Sequence, residues 1–157
     1  MDEFRKMRRF KQEISKEECD EILKTEMRGV LAVSGENGYP YTVPLNFVYK
    51  DGKVYFHSAS DGHKTGALEK DCKVSFCVMK NINKDEQGFW FVRSVVIFGR
   101  IQKIEDMDVK TAVLTEIGHK YNLTEEMIQD ELKRNGKRVC VMELTVDHMT
   151  GKQTHEK

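Results

Sequence analysis

The segment FWFVRSVVIFGRIQKI, from Phe89 to Ile104, constrains the fold more than any other part of the sequence. Its length and its β-branched and aromatic residues predict a long strand. Alternation along that strand divides the apolar side chains into two sets: Trp90, Val92, Val96 and Phe98 on one face, and Phe91, Val95, Ile97 and Ile101 on the other. A strand that is apolar on both faces of an antiparallel sheet needs cover on both sides. We therefore expect one face to line a barrel interior and the other to lie against a partner subunit in a homodimer.

The remaining segments predict a single domain over residues 1–157, with an arm at 1–13 and a tail at 150–157. Ser15 and Glu18 form a capping box that begins a first helix. The predicted helices are Ser15–Glu26, Gly62–Glu69, Met107–Tyr121 and Thr124–Asn135, and the other predicted strands are Gly29–Ser34, Tyr39–Lys50, Lys53–Ala59, Lys73–Met79 and Arg138–Met149. This order predicts a mainly β fold, a closed antiparallel barrel with flanking helices.

Composition excludes several classes of partner. The chain has 157 residues, and its 26 basic and 26 acidic side chains give no net charge that would attract nucleic acid or an acidic membrane. No apolar run approaches the roughly 20 residues of a membrane span, and the first residues are too charged for a signal peptide. We expect a cytoplasmic protein whose four cysteines, which form no C-x-x-C pair, are reduced thiols.

Two prolines, Pro40 and Pro44, fall on the same face of the predicted strand Tyr39–Lys50. Each removes a backbone donor, so proline in a strand belongs at a sheet edge or a bulge. Part of this strand should therefore lack normal pairing. Its free carbonyls and flanking amides are available to a ligand.

The stretch YFHSASDGHKTGAL, from Tyr55 to Leu68, contains a helix with reversed charges. His63 and Lys64 lie in the predicted first turn, whereas Glu69 and Asp71 lie at or beyond the other end. The positive end of a helix dipole favours acidic residues in the first turn. A bound phosphate would explain the reversal, because unpaired amides and a lysine at a helix start bind anions. In the alternative interpretation Lys64 points to water.

Arg93 and His57 are further candidates. Burial of an unpaired guanidinium in the middle of a strand is costly. Arg93 should therefore meet an anion of a ligand, form a structural salt bridge with a carboxylate, or extend to solvent at the rim of the sheet. His57 ends the third strand, and no other His or Cys stands at zinc-like spacing, so we expect no metal site. Two interpretations of His57 stay open: it forms hydrogen bonds or exchanges a proton at the opening of a ligand site, or it is a packed histidine with no such role. Because no nucleophile is evident, a cofactor should supply any chemistry.

Several motifs in order resemble those of the pyridoxamine 5′-phosphate oxidase-related flavoproteins, and especially their nitroimidazole-resistance (Nim-type) branch. They are MRR near the start, Gly38–Leu68 (GYPYTVPLNFVYKDGKVYFHSASDGHKTGAL), Arg93–Ile101 (RSVVIFGRI) and Met149–Lys152 (MTGK). The resemblance implies a Greek-key-like split β-barrel homodimer that binds FMN, or its larger relative FAD, at the subunit interface.

The resemblance also implies roles for individual residues. Val43, Pro44, Leu45 and Asn46 would lie along the flavin ring; His57, Ser58 and Lys64 would approach the ribityl phosphate; Arg93 and Ser94 would reach flavin from either subunit. Tyr41, Trp90 and Phe91 are candidates to stack near the flavin, although aromatic residues on strands more often belong to a core.

The function implied is an FMN-dependent oxidoreductase that passes electrons from NADH or NADPH to a small organic acceptor such as a 5-nitroimidazole, with His57 as a candidate proton donor. A flavin- or haem-binding module with little turnover is the alternative. Pyridoxamine 5′-phosphate oxidase activity is a second alternative, disfavoured because the arginines and the C-terminal substrate segment of those enzymes are not found here.

Overall fold

The computed structural model of the protein describes residues 4–58 and 72–157. These described residues form three α-helices, α1 (Lys16–Thr25), α2 (Met107–Lys120) and α3 (Glu125–Asn135). Its strands are β1 (Gly29–Ser34), β2 (Pro40–Leu45), β3 (Val48–Lys50), β4 (Lys53–Ser58), β5 (Lys73–Lys84), β6 (Trp90–Lys103) and β7 (Cys140–His155). The helix predicted at Gly62–Glu69 lies outside the described residues. Within the described ranges, no helix is long and apolar enough to cross a membrane.

All seven strands form one antiparallel sheet in the order β2-β1-β5-β6-β7-β4-β3. β2 and β3 are its two edges, yet Asn46 and Phe47 alone connect them. Six spacings of about 4.8 Å would place the edges of a flat sheet about 29 Å apart. Three residue steps reach at most about 11 Å. The sheet must therefore curl into a barrel whose edges meet at this link, and the predicted mainly β fold with flanking helices is confirmed.

Three strands differ from their predicted bounds by more than one residue. The predicted strand Tyr39–Lys50 is broken at Asn46–Phe47, where the chain passes from one edge of the sheet to the other. β7 runs to His155 instead of ending at Met149, so the predicted tail at 150–157 is mostly strand. β5 likewise continues to Lys84, beyond its predicted end at Met79. Both extensions pair with β6. Because β6 is long, the backbone of these polar residues can form hydrogen bonds with it.

Large apolar side chains fill the barrel interior. Phe47 and Phe76 are fully buried and meet edge to face, with ring centroids 5.1 Å apart. Fully or almost fully buried neighbours in the same core are Leu31, Val54, Phe56, Val78, Val95, Ile97 and Leu144. Because Phe47 lies in the two-residue link between the edge strands β2 and β3, its burial fixes the point at which the barrel closes.

Helix α1 covers the barrel and begins at the predicted capping box. Ser15 Oγ accepts a hydrogen bond from the Glu18 N–H at 3.1 Å, and Glu18 Oε2 accepts one from the Ser15 N–H at 2.8 Å. Gly151 on β7 allows the close approach of this helix, since a Cβ there would lie 2.3 Å from Cys19 Sγ and 2.7 Å from Ile14 Cγ1. The capping box thus sets the start of the helix, and Gly151 sets its distance from the sheet.

Helices α2 and α3 lie on the outer side of the sheet. Val113 and Ile117 of α2 belong to a second apolar cluster with Tyr55 of β4. Gly118 lets α3 approach α2, because a Cβ at this position would lie 2.6 Å from Ile128 Cγ1. The ends of β4 and β7 are therefore covered by a pair of closely packed helices.

Replacing Phe47 with alanine should destabilise the protein by about 3–5 kcal/mol, because it removes a fully buried aromatic side chain where the barrel closes. Urea unfolding measures the change. Phe10→Ala is the matched control, since Phe10 is 66% exposed and its loss should change stability by less than about 0.5 kcal/mol. Equal effects of the two substitutions would show that Phe47 does not close the barrel.

Candidate functional site

The link Asn46–Phe47 and the edge of β2, Pro40–Leu45, together form what we call the seam. Among residues 4–58 and 72–157, no strand pairs with the side of β2 that faces away from β1, and we call this side the open edge. The backbone of the seam is held by the end of α2. The Phe47 N–H donates to Tyr121 Oη at 2.9 Å, and the Tyr121 hydroxyl donates to the Met27 carbonyl at 2.6 Å. Lys120 Nζ donates to the Phe47 carbonyl at 2.9 Å. Both backbone groups of Phe47 are thus paired with side chains far away in the sequence.

Burial shifts the pKa values of Lys120 and Tyr121 in opposite directions. It lowers the pKa of Lys120 to about 8, which the carboxylate of Glu26 partly opposes. The Lys120 ammonium also lies 3.9 Å from the centroid of the Phe47 ring, a cation–π contact. Burial raises the pKa of Tyr121, so its phenol stays protonated and remains a donor. Nothing in the sequence signalled these contacts, because they join residues more than seventy positions apart.

The two prolines lie on the edge strand, as predicted. Pro40 is opposite Ser34 and Pro44 is opposite Val30. Since proline has no N–H, these positions must be the ones whose backbone groups point away from β1. The carbonyls of Pro40, Thr42 and Pro44 and the N–H of Thr42 therefore lie along the open edge.

The four residues expected along a flavin ring divide into two pairs. Val43 and Leu45 pack against the barrel core, so their side chains serve the fold, and their backbone groups point toward β1. Pro44 and Asn46 are exposed on the outer side. The neighbouring Tyr41 also packs against the core, in agreement with the usual role of an aromatic residue on a strand.

Asn46 and His57 line the same cavity, of about 320 Å³, under helices α2 and α3. Most of its wall is apolar: Leu114, Ile117, Leu123, Ile128, Leu132 and Val139. His57 lies near the end of β4, opposite Val141, and Ser58 follows it in a half-buried position. The structure therefore brings the predicted residues Asn46, His57 and Ser58 to one end of the barrel, beside a cavity that the sequence analysis did not predict.

Arg93 and Ser94 lie near the other end of β6. His57 pairs with Val141 of β7, next to the residue of β7 that pairs with Lys103, the last residue of β6. About ten residues, roughly 33 Å of extended strand, separate Lys103 from Arg93. The Arg93 guanidinium lies 3.2 Å from Glu18 Oε1 and donates through Nε to Gln153 at 2.8 Å. Of the interpretations of Arg93 that the sequence allowed, the structure shows the salt bridge. Within one chain, these residues do not join Asn46 and His57.

The two remaining aromatic candidates also lie at that far end of β6. Trp90 is 38% exposed, with the Lys84 ammonium 4.9 Å from the centroid of its ring. Phe91 is stacked on His155 at a centroid distance of 4.2 Å. Lys64, expected at the phosphate, lies outside the described residues.

The outer face of the sheet carries an apolar patch. Val30, Cys77 and Val96 form a row across β1, β5 and β6. Two larger side chains on the same face are exposed, Met79 at 64% and Phe98 at 43%. This is the second apolar face that was expected from the sequence of β6, and in the single chain part of it is open to solvent.

The four cysteines, Cys19, Cys72, Cys77 and Cys140, are free thiols, and two of them are buried. Burial raises the pKa of Cys19 to about 11, so this thiol is unreactive. Among the described residues, no three His, Cys, Asp or Glu side chains lie together as metal ligands would.

Comparison with known proteins gives one family match. The family model described as pyridoxamine 5′-phosphate oxidase matches residues 15–153, which is most of the chain. No similar sequence was found among curated proteins.

Solved structures share the fold. A candidate 5-nitroimidazole antibiotic resistance protein from Bacteroides thetaiotaomicron superposes with a TM-score of 0.75 at 24% identity, covering 92% of this chain and 87% of that one. A FAD-binding protein from Mesorhizobium loti gives 0.65 at 21% identity, covering 91% and 97%. A FAD- and heme-binding protein from Mycobacterium smegmatis gives 0.69 at 18% identity, covering 92% and 73%. At these identities the similarity shows a shared fold.

The pH dependence of stability should report the burial of Lys120. Its pKa is about 8 in the folded protein and near its ordinary value of 10.5 in the unfolded chain. Between these values the unfolded chain binds more protons, so this group makes the folded state more stable as the pH rises from 8 to 10.5. Relative to Lys120→Met, the wild type should therefore gain stability over this range in urea unfolding.

Lys133→Met, at an exposed position on α3, is the control and should show no such trend. A pH-independent difference between wild type and Lys120→Met would mean that the Lys120 ammonium is not desolvated.

Proposed function

This chain belongs to the pyridoxamine 5′-phosphate oxidase family, and we propose that it is a dimeric, cytoplasmic FMN-dependent oxidoreductase. It would pass electrons from NADH or NADPH to a small organic acceptor such as a 5-nitroimidazole. The observation that carries the proposal is the seam, where an open strand edge lies next to Asn46 and His57 at one end of the barrel. Structural neighbours described as a FAD-binding protein and as a candidate 5-nitroimidazole resistance protein support it.

The described residues fit a flavin ring, which has a flat apolar body and a polar pyrimidine edge. Pro44 offers an exposed apolar surface. The open edge of β2 offers carbonyls and the Thr42 N–H, and the Asn46 amide can both donate and accept. Ser58 and His57 stand at the end of β4, directly before the segment in which Lys64 would bind the phosphate.

Each residue then has a defined task. The Asn46 amide and the open edge of β2 orient the polar edge of the ring, while Tyr121 and Lys120 hold the adjoining Phe47 backbone in place. When bound, FMN supplies the redox chemistry, by accepting a hydride and delivering electrons to the acceptor. His57 holds a proton beside the cavity for the reduced acceptor, since imidazole exchanges protons readily near neutral pH.

A dimer would account for the two separate groups of predicted residues, Asn46 and His57 at one end of the barrel and Arg93 and Ser94 near the other. The apolar patch around Val96 on the outer face of the sheet would be buried against a second copy of the chain. Such a contact can bring Arg93 and Ser94 of one subunit to the seam of its partner. Arg93 has five donor N–H groups and uses some of them on Glu18 and Gln153.

Reduction of the FMN-loaded protein tests the activity. In the absence of oxygen, NADH or NADPH should bleach the flavin spectrum, and addition of 2-methyl-5-nitroimidazole should restore it. A spectrum that neither nicotinamide changes would contradict the oxidoreductase. It would favour a flavin- or haem-binding module, an alternative supported by the similarity to a FAD- and heme-binding protein. Formation of pyridoxal phosphate from pyridoxamine phosphate would indicate an oxidase of that type.

Lys64→Ala tests the phosphate site predicted from the sequence. A charge-assisted hydrogen bond contributes about 1.5–3 kcal/mol, so the affinity for FMN should fall about tenfold or more. Riboflavin lacks the phosphate and should bind within about twofold of wild type if the Lys64 contact is specific for that anion. Fluorescence titration measures both affinities, and Lys24→Ala on the exposed side of α1 is the control. Equal losses for FMN and riboflavin would show that Lys64 does not bind the phosphate.

A further inference from the structure

We propose that the cavity between α2, α3 and the end of β4 is the acceptor site, and that it binds a small, neutral, single-ring aromatic molecule. The identification of this molecule as an electron acceptor rests on the proposed function. The existence of the binding site rests on the cavity itself.

The size of the cavity limits its ligand. Its volume of about 320 Å³ lies at the lower end of the range of about 300–1,000 Å³ for ligand pockets. At about 30 Å³ for each water-sized group, it holds on the order of ten non-hydrogen atoms. One substituted ring fits this volume, whereas a three-ring flavin with its ribityl phosphate does not.

The chemistry of the wall selects an apolar ring with polar substituents. Leu114, Ile117 and Leu132 provide an apolar surface, and the polar groups of Asn46 and His57 lie on the side that faces the sheet. A ring can pack against the leucines and direct a nitro, carbonyl or ring nitrogen group toward the amide and the imidazole. This is the arrangement of apolar wall and few polar groups that is typical of small-molecule sites.

The charge of the wall favours a neutral ligand. Glu131 of α3 is exposed at the rim and accepts a hydrogen bond from Asn135. Among the lining residues in the described part of the chain, no lysine or arginine balances this carboxylate. A carboxylate or phosphate ligand would therefore be repelled, and the apolar wall would not compensate a cation for lost hydration.

The position of the cavity places its ligand next to the proposed flavin ring. Asn46 belongs to the seam, and it also lines the cavity together with His57. A molecule bound between the helices therefore contacts the same residues that would flank the ring. Leu123, 38% exposed, lies in the wall and marks an opening to solvent through which the acceptor can enter.

The test measures binding of 2-methyl-5-nitroimidazole to the full-length protein, with and without bound FMN and without any electron donor. Methyl resonances of Leu114, Ile117 and Leu132 should shift on titration. Leu132→Phe, which fills the cavity, should weaken binding at least tenfold. Met127→Phe is the matched control on the same helix, because Met127 is 52% exposed and outside the cavity wall, and it should bind within twofold of wild type.

Leu114→Phe provides a second cavity-filling variant, and the melting temperature of each variant shows that it is folded. Absence of binding by wild type, or equal binding by wild type and both cavity-filling variants, would overturn the proposed site. These results are independent of the bleaching of FMN by a nicotinamide. Binding that both variants weaken, in a protein whose flavin is never reduced, would support the site and contradict the oxidoreductase.

Discussion

The structure depends on one constraint, which is that two residues join the two edges of a seven-stranded sheet. The sheet must curl until β2 and β3 meet, and the Phe47 side chain is buried where they do. Because β2 and β3 meet end to end at this link, no other strand of the described residues pairs with the side of β2 that faces away from β1, and the carbonyls of Pro40 and Pro44 point outward from that side. Folding stability and the candidate site thus arise from a single feature, and the hydrogen bonds from Tyr121 and Lys120 to the Phe47 backbone serve both.

Local sequence signals predicted much of this fold. The capping box at Ser15 and Glu18 gave the start of α1, the prolines gave the edge strand, and the alternation in Phe89–Ile104 gave a long strand with two apolar faces. Contacts between residues far apart in the sequence were not predictable from such local signals. The break at Asn46–Phe47 depends on where the barrel closes, and the polar residues of β7 after Met149 are strand because β6 is long enough to pair with them.

The candidate site was predictable only in part, because it also depends on contacts between residues far apart in the sequence. A resemblance in sequence identified Asn46 and His57, which the structure brings to one cavity. It did not separate Val43 and Leu45, whose side chains face the core, from the exposed Pro44 and Asn46. Arg93 illustrates the limit most clearly, since its partner is Glu18, the same carboxylate that caps α1. That ion pair joins α1 to β6. Any role of Arg93 in a flavin site therefore depends on the proposed dimer.

Binding of a flavin at the seam can be tested by the absorption spectrum of the purified protein. We expect a flavin spectrum, either as purified or after addition of FMN, and release of FMN with its phosphate ester intact when the protein is heated. A colourless protein that also fails to take up added FMN would show that the seam does not bind a flavin.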